Sequence, residues 1–202
     1  MQQRAEKTRA AILAAARRHF AACGFAGTTV DAIAAGAGVN KQRIYAYFGS
    51  KRRLFERILL DLFAESETEF EHFADRAEPE GENLTAALWR HFTELHRRKP
   101  EFQRLLTWAN LEEAIDPAAL ASVRSHENSR LRRWFAQETA AGRIRSDIAF
   151  ESWLLTLMSV AYFCNSNFRT LSRTLGESYL DDAGRTRLGA DLGVVFAGIR
   201  RA

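Results

Sequence analysis

The sequence predicts an all-α protein of about nine helices, a small N-terminal helix-turn-helix unit followed by a larger helical bundle. Three observations carry this. Apolar residues recur at intervals of three and four along nearly the whole chain. Strand signals are almost absent: few β-branched runs, no alternating stretches and no hairpin dipeptides between apolar segments. Glycine and proline cluster where the helical pattern breaks, at Gly24, Gly36 to Gly38, Gly49, Pro79, Pro100, Pro117, Gly142 and Gly176.

The first helix, over 5–22, carries Ile12, Leu13, Ala16 and Phe20 as one stripe, and Cys23-Gly24 stops it, glycine being suited to a left-handed C-terminal residue. A short helix follows over 28–35, with Thr28 and Asp31 at the spacing of a capping box. Gly36-Ala37-Gly38-Val39 is the turn, and Asn40 caps a second short helix, Lys41 to Phe48. Gly49 ends it, and Ser50 caps a long helix with Leu54, Phe55, Ile58, Leu62 and Phe63 on its inner side. Glu78 to Glu82 reads as a linker, and further helices are expected over 83–98, 101–114, 118–141, 147–172 and 184–201. The expected domains are 1–50 and 51–202.

Charge separates these parts. The net charge is +4 over 202 residues, yet residues 1–60 hold eleven Lys and Arg against three acids, Glu6, Asp31 and Glu56. A basic segment on a mildly acidic body fits a protein that grips nucleic acid with one part, although a solvated basic face would look the same. Two short helices around a glycine turn inside that segment suggest a DNA-binding helix-turn-helix, with a plain helical hairpin as the alternative. Ile33, Val39 and Ile44 would hold the pair over Phe20, leaving Lys41, Gln42 and Arg43 at the start of a helix in the major groove.

The run Gly24-Phe25, Thr28-Thr29-Val30, Ile33-Ala34, Ala37-Gly38-Val39, Ile44-Tyr45, Tyr47-Phe48, Ser50-Lys51 and Leu54 resembles the DNA-binding domain of the TetR/AcrR family of transcriptional regulators. The resemblance covers about the first sixty residues. It implies backbone phosphate contacts from Thr29, Tyr45 and Lys51, with Tyr47 also on the DNA-binding side. A phenol or hydroxyl donates to a phosphate oxygen, and an ammonium at a helix N-terminus adds to amides already aimed at an anion. Gln42 and Arg43 are longer than the residues common there in the family, and Ala46 is smaller, so operator preference does not carry over. Arg43 suits a guanine edge or, equally, a phosphate. The implied protein is a repressor that binds a palindromic double-stranded operator as a homodimer and is released by a small apolar or aromatic effector.

The larger unit is rich in aromatics. Trp89, Phe92, Trp108, Asn110, Trp134, Trp153 and Tyr162 are candidates for an effector cavity, each of the aromatics being equally at home in a core. His91, Asn128, Cys164 and Asn165 join Asn110 as candidate polar groups. Gly189, Gly193 and Ala197 recur at intervals of four, beside Phe196. Small residues in a row mark a close helix approach, either within one subunit or across a dimer seam made with Trp153 and Leu157. The family's dimer interface is built from its last two long helices, here 147–172 and 184–201.

Other chemistries find little support. His91 and His96 are five apart, not the four that put two zinc ligands on one helix face, and no phosphate-cradling loop or nucleophile elbow occurs. No metal, cofactor or catalytic residue is expected. Two distant cysteines imply no disulfide framework, and the polar start has no signal-peptide core, so a cytoplasmic protein is expected. The most apolar run, Phe150 to Cys164, is too short for a membrane span.

Overall fold

The computed structural model describes residues 2–76, 83–112 and 117–198. The expected linker over 78–82 and the candidate side chain Asn128 lie outside what is described. All described secondary structure is helical apart from one isolated bridge pair, Ile144 with Ala197. Packing divides the chain into two compact units, 1–66 with 99–124, and 67–98 with 125–202. This is a different division from the functional one expected at residue 50.

In the first unit, α1 (Gln2–Gly27) buries Ile12, Ala15, Ala16 and Phe20 and is broken at Gly24, whose φ of 74° and ψ of 179° are not helical. The helix α2 (Val30–Ala37) ends at Gly38 in the left-handed region, φ 65°, where the Gly38 and Val39 amides close on Ala35 and Ala34 carbonyls. α3 (Lys41–Phe48) starts from Asn40, whose side chain accepts from the Arg43 amide at 3.0 Å. α4 (Lys51–Arg76) starts the same way, Ser50 Oγ accepting from Arg53 at 3.1 Å, and runs on into the second unit. Ile33, Ala34, Ile44 and Phe48 join Phe20, Leu54, Phe55 and Leu59 in the core. Phe55 packs edge-on to Phe20 at 4.8 Å, and Phe25 lies 5.4 Å from Phe55. α6 (Pro100–Leu111) belongs to this unit and packs along α1, with Phe102 edge-on to Phe63 at 5.4 Å. Arg17 of α1 bridges Glu101 at 2.9 Å and Glu65 at 3.3 Å.

In the second unit, α5 (Leu84–Arg98) packs against α8 (Phe150–Ser166) and α10 (Asp182–Val195), with α9 (Phe168–Leu175) following α8. The later part of α7 (Pro117–Ala140) adds Leu131 and Phe135 to the core, where Phe135 lies 5.2 Å from Trp153. The buried Glu138 pairs with Arg143 in the turn that follows.

Two expected helices are corrected. The helix over 147–172 is two, α8 and α9, parted at Asn167. The side chains of Asn165, Ser166 and Asn167 bond back to the carbonyls of Ala161, Tyr162 and Phe163, competing with the helical ladder just where it stops. The last helix starts earlier than 184, where Asp181 caps the Gly184 amide at 2.7 Å, and ends at Val195. Ala197 is therefore outside the helix, paired with Ile144. No described helix is long and apolar enough to cross a membrane.

Candidate functional site

α3 presents a surface of one kind. Ile44 and Phe48, one turn apart, face inward, and Lys41, Gln42, Arg43, Tyr45, Ala46 and Tyr47 are exposed. The Asn40 cap fixes the first turn, so the long arms of Gln42 and Arg43 project from a rigid start. Arg43 has no acidic partner among the described residues, whereas Lys41 pairs with Asp31 of α2 at 3.2 Å. That pair is exposed and worth little to stability. Beside this face, the Arg9 guanidinium of α1 lies 5.7 Å over the Phe48 ring, adding charge next to the end of α3.

The cap of α2 differs from the expected box. Thr29, not Thr28, is the N-cap, its hydroxyl oxygen accepting from the Ala32 amide at 3.1 Å. Thr28 is buried and donates to the Gly24 carbonyl at 2.7 Å, and the Asp31 carboxylate goes to Lys41. The sequence holds two threonines in a row, and Thr28, bonded back to the Gly24 carbonyl, is the one that turns inward. Exposed Thr29 keeps its own proton available for donation.

Lys51 has an internal task. Its ammonium donates to the carbonyls of Phe25 at 2.8 Å and Thr28 at 2.9 Å and sits 4.3 Å over the Phe25 ring. Two of three protons are thus used in holding the link between α1 and α2. Spacing did not signal this, because the acceptors are backbone groups.

The aromatic candidates separate. Trp108 belongs to the first unit, against Gly24, and Asn110 is exposed on α6. In the second unit Trp153 is fully buried and its indole N–H donates to Thr85 Oγ1 at 3.1 Å. Trp89 and Phe92 are buried too, and the Trp89 indole donates to the Arg185 carbonyl at 2.9 Å. Half-buried Trp134 lies 6.3 Å from Phe70 and 6.4 Å from Phe73, with Arg130 at 5.3 Å over its ring. His91 stacks on Phe73 at 4.6 Å. This group of Phe70, Phe73, His91 and Trp134 is what the structure gathers, and Phe70 and Phe73 were missed because they read as the tail of the long helix.

Tyr162 is half-buried, its ring edge-on to His96 at 5.8 Å. Burial pushes the His96 imidazole down to about 4, and its Nδ1 has no hydrogen-bond partner, nor does Thr93 Oγ1. The Cys164 thiol is raised by burial, against a smaller opposing pull from Arg185. Among the described residues no three His, Cys, Asp or Glu side chains gather as a metal would need.

Of the expected dimer residues, all but the exposed Ala197 face inward. Trp153 and Leu157 are wholly buried, and Phe196 is buried at the end of α10. A Cβ on Gly189 would fall into the Trp89 indole, and one on Gly193 would lie 3.2 Å from Asn83 Nδ2, so these glycines serve packing inside the protomer. The large apolar side chains α8 and α10 leave exposed are Leu155, Met158, Phe163, Val194 and Val195, the last three at 53%, 76% and 59%. A shallow depression on α8 is lined by Ser159, Val160, Tyr162 and Phe163.

Residues 12–58 match the family described as bacterial regulatory proteins, tetR family, and 82–193 match the tetracyclin repressor-like C-terminal domain. The chain is 33% identical over 185 residues to the HTH-type transcriptional repressor NicS of Pseudomonas putida, covering 89% of this chain and 85% of that protein. It is 37% identical over 114 residues to the HTH-type transcriptional repressor SCO4008 of Streptomyces coelicolor, covering 53% and 52%. A TetR family transcription regulator from Marinobacter aquaeolei VT8 shares the fold, with a TM-score of 0.70, 21% identity, and coverage of 98% and 100%. A gamma-butyrolactone receptor does so with a TM-score of 0.64, 22% identity, and coverage of 95% and 99%. The chain therefore belongs to the TetR family of bacterial transcription regulators, which are not enzymes.

Proposed function

We propose that this regulator is a cytoplasmic repressor, a homodimer that binds a palindromic operator and leaves it when a small apolar or aromatic effector binds. The observation that carries the reading is α3: a capped helix with two residues inward and a polar, basic and phenolic face outward. Gln42 and Arg43 read base edges, while Thr29, Tyr45 and Tyr47 donate to phosphates. Lys41 adds charge once it leaves Asp31, and Lys51 acts mainly by holding the link before Thr29. The functional division is 1–50 for duplex binding and 51–202 for effector binding and dimerisation.

The dimer is supported by exposed Leu155, Phe163, Val194 and Val195, apolar side chains that a second copy would cover. Two copies bring two α3 helices to half-sites about one helical turn apart. The effector site is supported by the Phe70, Phe73, His91 and Trp134 group, an apolar setting for a planar or greasy molecule. The name of the gamma-butyrolactone receptor supplies a precedent for a small ligand on this fold.

Selection of duplexes from random DNA by the full-length protein tests the reading. A palindromic consensus is expected. Tyr45→Phe should weaken all duplexes alike by about threefold to tenfold, and Arg43→Ala should relax preference at one base pair per half-site. Failure to enrich any sequence, even at low salt, would overturn it.

A further inference from the structure

The link between α1 and the helix-turn-helix is gripped from two sides. Gly24 breaks α1 with a φ of 74°, and Thr28 folds back onto its carbonyl at 2.7 Å. From α4, the Lys51 ammonium takes the Phe25 and Thr28 carbonyls. From the C-terminal end of α6, the capping residue Glu112 accepts through Oε2 from the Ala26 amide at 3.0 Å, and the Trp108 ring lies flush against Gly24. A Cβ on Gly24 would come within 2.8 Å of Trp108 Cε3 and 2.7 Å of Glu112 Oε1, so the fit admits no side chain at all. Opposite charges thus hold opposite ends of peptide groups in one short loop. Arg17 with Glu101 fastens the other end of α6 to the same helix.

We infer that Glu112 is a positioning residue for duplex binding: its carboxylate latches the 24–29 link, and through it sets where α2 and α3 stand. The path is short. Thr29 follows the link and caps α2, α2 packs on α3 with Ile33 and Ile44 both buried, and α3 carries the duplex-facing side chains. A carboxylate in a basic unit repels a polyanion, so its charge alone works against DNA binding. Electrostatics and positioning therefore predict opposite signs for its removal. The inference rests on the reading of α3 as the duplex-binding helix.

The test uses the full chain, a fluorescent duplex recovered by selection on the wild type, and hydrogen exchange of the peptide covering 25–33. Glu112→Ala should weaken the duplex by about fivefold, the order of one charge-assisted hydrogen bond, with the thermal midpoint lowered by no more than about 4 °C. Glu112→Gln keeps an acceptor oxygen for Ala26 and should stay within about twofold of wild type. The 25–33 peptide should exchange faster in Glu112→Ala alone. Binding at or above wild-type affinity in Glu112→Ala overturns the inference, as does equal weakening by both variants. If the wild type binds no duplex, the reading of α3 fails, and exchange then decides the latch by itself: unchanged protection in Glu112→Ala sinks it.

Discussion

α3 and α8 are helices with opposite surfaces, and each surface suits a different partner. α3 puts two apolar residues inside and gives water a guanidinium, an amide, an ammonium and two phenols. α8 is apolar around most of its circumference: it buries Phe150, Trp153, Leu154, Leu157, Ala161 and Cys164, and still leaves Leu155, Met158 and Phe163 to water. A polar face meets phosphates and base edges, whose own groups satisfy it. An exposed apolar face gains by meeting its like. The contrast also separates two kinds of mutation, those that disturb a protomer from inside and those that disturb only what it touches.

The largest expected effect uses that separation. Trp153→Ala removes a fully buried indole and leaves Thr85 without its donor, so urea unfolding should show a loss of about 4 kcal/mol that does not depend on protein concentration. Phe163→Glu changes an exposed ring on the same helix. It should leave secondary structure intact and shift sedimentation from dimer to monomer, with operator binding lost in parallel. If Trp153→Ala instead acted only through association, Trp153 would belong to the interface and the inside and outside of α8 would have to be exchanged.

A smaller effect follows from His96. The unfolded imidazole takes a proton near its ordinary 6.5, whereas the buried one holds out to about 4. Below 6.5 the unfolded state therefore gains protons that the folded state refuses, and stability falls as pH drops. Between about pH 7 and 5 the loss should reach about 2 kcal/mol, and His96→Leu should remove that part of the slope. The Glu94 carboxyl, held below its usual 4.5 by the Arg97 hydrogen bond, lends stability that is lost only at more acid pH, so it adds nothing to this window. An unchanged slope in His96→Leu would mean that the imidazole is hydrated.

What the sequence revealed differs between the same two regions. In α3 the pattern has one apolar pair, so inside and outside follow from spacing, and the caps at Asn40 and Ser50 stand where polar side chains precede helical runs. In α8 nearly every face is apolar, and spacing gives no preference between the stripe of Trp153 and Leu157 and the stripe of Leu155 and Phe163. The glycines of α10 were legible as a close approach, but the neighbours, Trp89 for Gly189 and Asn83 for Gly193, are a hundred or more positions away in the chain. Long-range partners of this kind leave no periodic trace. Lys51 shows the same limit in the first unit, where its place in a motif was plain and its carbonyl acceptors were not.

Gly24 sharpens the comparison at its finest scale, because here the first unit depends on a contact that its own motif does not contain. Gly24→Ala meets two separate penalties: a left-handed φ of 74°, and a methyl placed against Trp108 and the Glu112 carboxylate. The backbone alone costs at least about 1 kcal/mol, because φ 74° with ψ 179° lies where essentially only glycine is found, and relaxing the contact adds a similar amount. Truncating the ring in Gly24→Ala/Trp108→Ala should return the steric share while leaving the backbone share, so the double variant should be more stable than the sum of the two single losses. A strictly additive double variant, measured by urea unfolding, would mean that α6 does not bear on Gly24 and that conformation alone selects glycine there.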